Sequence, residues 1–158
     1  MPQTKSRLND FVVKIANVNG TGSASANALL MKAFFRMGIP VVGKNFFPSN
    51  IQGMPTWYEI RVTKKGYKGR SGNIDIMLAM NAETYADDIK EVTAGGYLIY
   101  DSSWPRDTLL SRSDITVMGI PLADMCNEAF ANPRIRILMK NMAYVGAMAA
   151  LVGIEMSV

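Results

Sequence analysis

Two glycines flank a threonine in the sequence Gly20-Thr21-Gly22, three residues after an apolar segment. That segment, residues 11–16, is β-branched and apolar, which predicts a buried strand, and a helix is predicted to follow. Glycines let a backbone approach a ligand closely, and the free amides and dipole at a helix N-terminus favour an anion. Thr21 and Ser23 add hydroxyl donors. The turn therefore predicts an anion-binding site, and a tight turn without a ligand stays open as the alternative.

The same turn departs from the nicotinamide-binding fingerprint. That fingerprint needs a third glycine or an alanine where this chain has Ser25, and an acidic residue about 20 positions further on. The second predicted strand, residues 40–43, ends in Gly43-Lys44 and not in an acid. Both differences argue against NAD, so a stand-alone nucleotide-cofactor enzyme is the least favoured alternative.

Further polar groups follow the second strand, in a predicted loop over residues 44–56. In many doubly wound sheets the first two strands are neighbours, and Lys44 would then add positive charge beside the glycine turn. Ser49 and Asn50 lie in the same loop. They are candidates to bind a polar ligand, although such residues also satisfy the backbone of turns.

The composition removes most catalytic chemistries. The 158 residues include no histidine and one cysteine, Cys126. Catalytic triads that need histidine, histidine metal sites and multi-cysteine zinc or iron–sulfur sites are therefore excluded within this sequence. We predict no catalytic residue, no metal ligand and no cofactor bound by the chain alone.

The charge balance is mildly basic, with a net charge of +4 and a pI of about 9.3. This excess favours anionic ligands only weakly, and no nucleic-acid partner is expected. The polar residues 1–9 lack an apolar signal core and are expected to form a disordered tail. The longest uncharged stretch near the end, residues 141–154, is too short for a membrane span. A cytoplasmic protein is the default expectation.

The elements that must position these residues alternate between strands and helices. This order predicts one α/β domain over residues 1–158, Rossmann-like, with a mostly parallel sheet and helices on both faces. Ser23 and Asn81 are predicted helix N-caps, Gly38 a C-terminal cap, and Gly95-Gly96 a turn. Strands are predicted at 11–16, 40–43, 57–63, 74–80, 97–101 and 115–120, and helices at 23–37, 82–89, 122–130 and 135–151.

Two further features have both a plain and a functional interpretation. The last helix is apolar nearly all round, which predicts burial within the domain or packing on a partner. Lys64, Lys65, Lys68 and Arg70 form a basic run around two glycines. A solvated hairpin is the plain interpretation, and a phosphate or an acidic protein partner is the functional one.

Over about residues 10–155 the sequence resembles the gamma subunit, or gamma-type N-terminal domain, of 2-oxoacid:ferredoxin oxidoreductases. The Asn-Gly-Thr-Gly turn is similar to the form found where this domain begins the larger subunit of a 2-oxoglutarate-type enzyme. There the domain continues into thiamine-binding domains, whereas this sequence ends at Val158, as a fragment, a truncated reading frame or a stand-alone gamma-like protein would. The matching blocks, in family order, are residues 11–16, 19–23, 43–53, 58–62, 75–81 and 95–101.

The resemblance implies part of an enzyme that oxidatively decarboxylates a 2-oxoacid, forms an acyl-CoA and passes electrons to ferredoxin. It implies that partner domains or subunits hold thiamine diphosphate and iron–sulfur clusters, and that the 2-oxoacid pocket lies elsewhere. Self-association and a structural or assembly domain without a ligand stay open. The positions that the resemblance implies for contact with the co-substrate coenzyme A (CoA) are Asn19, Gly20, Thr21, Gly22, Lys44, Ser49 and Asn50.

Overall fold

A computed structural model describes residues 9–104 and 112–154 of the chain. A six-stranded sheet with the strand order β2-β3-β1-β4-β5-β6 forms its centre. Five strands run in one direction and β3 runs antiparallel to both of its neighbours. The strands are β1 (Asp10–Val18), β2 (Val41–Phe46), β3 (Pro55–Thr63), β4 (Ile74–Ala79), β5 (Val92–Asp101) and β6 (Thr116–Ile120), and the helices are α1 (Ser23–Arg36), α2 (Tyr85–Glu91), α3 (Leu122–Ala129) and α4 (Pro133–Val152). The prediction of a mostly parallel α/β sheet is confirmed.

The larger core lies between one face of the sheet and the helices α1, α3 and α4. Side chains of β1 such as Val13 and Ile15 alternate toward this face and are fully buried. Leu30 and Phe34 of α1 and Tyr144 of α4 meet them there. The apolar stripe at helical spacing in α1 therefore packs as the sequence pattern predicts.

The second face of the sheet carries a smaller core beneath α2. Val12 of β1, Met77 of β4 and Leu98 of β5 point toward this face and pack against Tyr85 and Ile89 of α2. Because both faces of β1 and β4 are covered, these two strands have near-continuous apolar sequences. The prediction of helices on both faces is confirmed, with the short helix α2 on the second face.

The prediction that the first two strands are adjacent in the sheet is wrong, because β3 lies between β1 and β2. The second strand is also longer than predicted and runs to Phe46, so Lys44 belongs to a strand and not to a loop. The strands β2 and β3 form an antiparallel hairpin in which Lys44 is opposite Glu59. The remaining loop between them covers residues 47–54 only.

Several predicted element ends also differ from the structure. Gly22, and not Ser23, is the N-cap residue of α1, and α2 begins at Tyr85 after Thr84 and not after Asn81. Gly95 has φ of +80° inside β5, where the ladder to β4 is irregular, so the predicted turn is an interruption within one longer strand. Gly38, with φ of +74°, directly follows the α1 cap residue as predicted.

The described part of the chain begins at Asn9 and contains α4 near its other end. Of the predicted tail, residues 1–8 lie outside the described residues, while the carbonyl of Asn9 accepts a hydrogen bond from the Lys64 amide. Within residues 9–104 and 112–154, α4 is the one helix whose length and mean hydropathy of 1.4 would suffice for a membrane span. Only 28% of this apolar window is buried, although Tyr144, Val145 and Met148 of α4 belong to the larger core.

Candidate anion-binding site

The glycine turn lies at the carboxyl ends of the two central strands. The parallel strands β1 and β4 are adjacent, with Ala16 opposite Ala79 near their ends. From this point α1 continues over one face of the sheet, and α2 continues over the other. Such a switch point opens a crevice outside the strand ends, which is the usual ligand site of open α/β sheets.

The turn itself is closed by its own threonine. Gly20 and Gly22 have φ of +88° and +81°, in the left-handed region that favours glycine. The Thr21 hydroxyl donates to the carbonyl of Val18 at 2.8 Å. In this structure its proton is therefore used inside the turn, and contact of Thr21 with a ligand stays a prediction.

The hairpin loop supports one side of this turn. The Asn19 amide donates to the Met54 carbonyl at 2.8 Å, and the Gly53 amide donates back to the Asn19 carbonyl at 3.0 Å. A Cβ built on Gly20 would lie 2.6 Å from the Gln52 side chain. The positive φ favours glycine at position 20, and a side chain there would also displace the exposed Gln52 side chain.

Three buried asparagines support the other side of the turn. Asn141 of α4 donates to the Thr21 carbonyl at 2.8 Å and accepts from the Asn17 side chain at 3.4 Å. The Asn17 side-chain oxygen accepts from the Val18 amide at 2.8 Å, and Asn81 after β4 donates to the Asn17 carbonyl at 3.5 Å. This asparagine cluster (Asn17, Asn81 and Asn141) links the ends of β1 and β4 to α4.

The first turn of α1 lies beside the crevice, and its backbone amides have no partner within the helix. Its N-cap is Gly22, so no side chain in the described part of the chain caps the helix, and its first turn contains no acidic residue. Ala24 and Ser25 are exposed there, whereas Ser23 is buried. Exposed first-turn amides at the positive end of a helix dipole can bind a phosphate or carboxylate.

Of the predicted loop residues, Ser49 and Asn50 lie near the turn. The Asn19 side chain donates to the carbonyl of Ile51 at 3.2 Å, which brings the loop against the turn. The Ser49 hydroxyl accepts from the Ile51 amide at 3.1 Å, so it supports the loop, and Asn50 is exposed. The turn and this loop form one continuous surface.

Lys44 lies apart from that surface. It is two strands away from β1, about 10 Å across the sheet. Its ammonium lies 5.2 Å from the ring of Phe46, which also lies under the Arg70 guanidinium at 4.6 Å. Arg70 in turn forms a salt bridge with Glu59 at 2.9 Å. Lys44 belongs to this basic and aromatic group at the β2 edge, and its contact with CoA stays a prediction.

The asparagine cluster was missed at the level of sequence. Asn17 and Asn141 are 124 positions apart, so no local spacing connects them. One signal was available, because Asn141 and Tyr144 are polar residues within an otherwise apolar helix. The Tyr144 hydroxyl donates to Asn27 of α1 at 2.9 Å, and burial raises the pKa of this phenol. The pair fixes α4 against α1 beside the turn.

A groove of about 490 Å³ runs from the turn between α1 and α4. At the end nearest the turn, Leu138 packs so closely on Gly22 that a Cβ there would lie 2.7 Å from it. The lining residues are Gly22, Ser25, Ala26, Ala28, Leu29, Lys32, Leu138, Asn141 and Met142. The described site thus offers amides, small polar groups and an apolar groove, which suit binding rather than acid–base or nucleophilic chemistry.

Comparisons with known proteins agree with this fold. A solved 2-oxoglutarate:ferredoxin oxidoreductase from Magnetococcus marinus, with 2-oxoglutarate, coenzyme A and succinyl-CoA bound, superposes on 94% of the chain with a TM-score of 0.79 and 23% identity. A pyruvate oxidoreductase subunit from Thermotoga maritima superposes on 93% of the chain with a TM-score of 0.72 and 15% identity. A keto/oxoacid ferredoxin oxidoreductase gamma subunit from Geobacter sulfurreducens superposes on 91% with a TM-score of 0.69 and 18% identity. The match covers 79% and 78% of the latter two chains, respectively.

Sequence comparison gives the family. Subunit alpha of 2-oxoacid:ferredoxin oxidoreductase 2 from Aeropyrum pernix is 30% identical over 92 residues, or 58% of this chain. The chain spans only 14% of that relative and 25% of the Magnetococcus chain. A family model described as pyruvate ferredoxin/flavodoxin oxidoreductase matches residues 12–158. The chain therefore belongs to the pyruvate ferredoxin/flavodoxin oxidoreductase family.

Proposed function

We propose that this chain is the CoA-contacting domain or subunit of a 2-oxoacid:ferredoxin oxidoreductase. The complete enzyme would decarboxylate a 2-oxoacid oxidatively, form an acyl-CoA and reduce ferredoxin in the cytoplasm. Thiamine diphosphate and the iron–sulfur clusters would be held by other domains or subunits of the enzyme. This chain would contribute backbone donors and no catalytic residue.

One observation carries this proposal: an uncapped helix N-terminus directly follows a left-handed glycine turn at the sheet switch point. CoA has phosphate groups, which such amides bind through hydrogen bonds and the helix dipole. The turn is supported on two sides, by Met54 of the hairpin loop and by Asn141 of α4. Rigid support of this kind keeps the donors in place before a ligand arrives.

A substitution at Ala24 separates binding from folding. Ala24 is exposed in the first turn of α1, so Ala24→Glu places a carboxylate beside the proposed phosphate position. At about 6 Å, two like charges repel by roughly 1 to 3 kcal/mol across effective dielectric constants from 80 to 20, and we expect about tenfold weaker CoA binding. The same carboxylate stabilises a helix N-terminus by about 0.3–1 kcal/mol, so thermal stability should not fall.

Isothermal titration of CoA into the assembled enzyme measures this effect, with Ala24→Gln as the uncharged control of similar size. We expect Ala24→Gln to bind CoA nearly as tightly as the unmodified enzyme. Equal CoA affinity of the Glu and Gln variants would contradict the assignment of the phosphate site to α1.

An assembly domain without a ligand is the second candidate. The observation in its favour is the exposed apolar lining of the groove, including Leu29, Leu138 and Met142. Such a domain would bind its partner polypeptides normally, and substitutions in the turn would leave the CoA affinity of the enzyme unchanged. The titration with Ala24→Glu therefore distinguishes the two candidates.

A further inference from the structure

The groove between α1 and α4 is open and apolar at its rim. Leu29 is 46% exposed, Leu138 48% and Met142 40%. Ile135, one turn before Leu138 on the same helix, is also exposed. Because Leu29, Leu138 and Met142 line one groove, we interpret their exposure as an interaction surface rather than as scattered surface residues.

The two helices that form this groove carry only positive charge. They contain five basic residues and no acidic residue, although the whole chain has 17 basic and 13 acidic residues. Lys32 lines the groove and Arg134 is exposed at the first turn of α4. The Lys140 ammonium lies 3.6 Å from the Asp101 carboxylate, so its charge is already paired within the domain. An acidic partner would therefore complement Lys32 in the groove and the exposed Arg134 one turn before Leu138.

The shape of the surface favours a helix over a lipid bilayer. The groove has a volume of about 490 Å³ and is lined on the α1 side by the small residues Ser25 and Ala28. Ridges of side chains on one helix pack into the grooves of another. A flat membrane surface has no ridge to fill such a groove, whereas an amphipathic helix laid along it would bury Leu29 and Met142.

We propose that this groove docks an acidic amphipathic helix belonging to another polypeptide segment of the same oxidoreductase. The identity of the partner rests on the proposed function, while the location and chemistry of the surface rest on the groove and its charge. In the Aeropyrum and Magnetococcus relatives the matched region is 14% and 25% of a longer chain. There, further polypeptide is covalently available to pack against this domain.

Substitutions on α1 test the docking surface. Leu29→Glu places a charge in the groove, and Phe35→Glu is the matched control, because Phe35 is 72% exposed on the same helix but does not line the groove. Binding of each full-length variant to the purified thiamine diphosphate-binding subunit is measured by biolayer interferometry. We expect Leu29→Glu to weaken association at least roughly a hundredfold and Phe35→Glu less than about threefold.

The charge of the partner is tested separately at Lys32. Lys32→Glu should weaken association by roughly tenfold at low salt, and the difference should shrink as ionic strength rises. Circular dichroism and thermal unfolding confirm that each variant is folded. A gain of affinity for Lys32→Glu would overturn the assignment of an acidic partner.

The remaining outcomes separate this inference from the proposed function. Unchanged association of Leu29→Glu, with CoA affinity still reduced by Ala24→Glu, would overturn the docking surface and leave the proposed function standing. Failure of the unmodified chain to bind the thiamine subunit would overturn both. Co-sedimentation with phosphatidylglycerol vesicles that Leu29→Glu abolishes would instead identify a lipid surface as the occupant, against this proposal.

Discussion

Single buried polar residues determine the shape of the candidate site. Asn141 is only 2% exposed, yet both ends of its amide are hydrogen-bonded within the domain. A buried amide that loses its partner costs about 1–3 kcal/mol. The network therefore favours one arrangement of Thr21 relative to α4.

A second buried polar residue, Asp88 of α2, lies on the opposite face of the sheet. Its carboxylate accepts from the Trp57 indole at 2.8 Å and from the Thr84 hydroxyl at 2.6 Å. Burial raises the pKa of Asp88, against the lowering effect of these two hydrogen bonds. The folded protein consequently binds this proton more readily than the unfolded chain does.

The raised pKa of Asp88 predicts a pH-dependent contribution to stability. Because the folded pKa lies above the unfolded one, the stability contributed by this group decreases as pH rises through the folded pKa. The free energy of unfolding of the unmodified protein, relative to Asp88→Asn, should therefore increase as the pH falls from about 7 to about 4. Urea unfolding at a series of pH values measures the difference.

Asp87→Asn is the neighbouring control for this experiment. Asp87 is 84% exposed and pairs with Lys90 on the surface of the same helix. Its substitution should not reproduce the dependence seen for Asp88→Asn. A constant difference between the unmodified protein and Asp88→Asn across the pH series would show that burial does not hinder ionisation of Asp88.

At the scale of elements, the junction between β1 and α1 depends on Gly22 in two ways. A side chain there would be strained at φ of +81° and would also meet Leu138 at 2.7 Å. Gly38 at the other end of α1 has φ of +74° and open space around it. Gly38→Ala should cost about 1–2 kcal/mol from left-handed strain alone. Gly22→Ala should cost about 0.5–1.5 kcal/mol more, because the half-exposed Leu138 side chain must leave its rotamer.

Chemical denaturation of the two variants measures these costs. The double variant Gly22→Ala with Leu138→Ala should recover part of the excess, since it removes the opposing side chain. Equal destabilisation by Gly22→Ala and Gly38→Ala would mean that Leu138 moves aside freely, and that α4 does not hold the turn.

The elements were predictable where their signals are local. The apolar runs of β1 and β4 indicated strands buried on both faces, and the periodic apolar residues of α1 indicated its inner face. The position of β3 within the sheet could not be predicted, because strand order depends on pairing between segments that are distant in the sequence. With the strand ends that the structure shows, the eight-residue loop 47–54 is shorter than the dozen or more residues that a parallel crossover needs, which favours an antiparallel pair.

At the scale of the whole molecule, one part of the candidate site can be predicted from the sequence and another part is seen only in the folded structure. The turn Gly20-Thr21-Gly22 was recognised because glycine spacing is a short-range pattern. The asparagines that support the turn could not be predicted, because Asn81 and Asn141 are 64 and 124 positions away from Asn17 in the sequence. Only the packed sheet and α4 bring these amides together.

The inserted strand β3 also determines when the site can form. The Asn19 amide pairs with the carbonyl of Met54, about 35 residues later in the chain. During synthesis the glycine turn therefore leaves the ribosome before the loop that supports it exists. β1 must wait both for the returning hairpin on one side and for β4 on the other. We expect the anion-binding turn to acquire its final shape late in folding, after the central strands have paired.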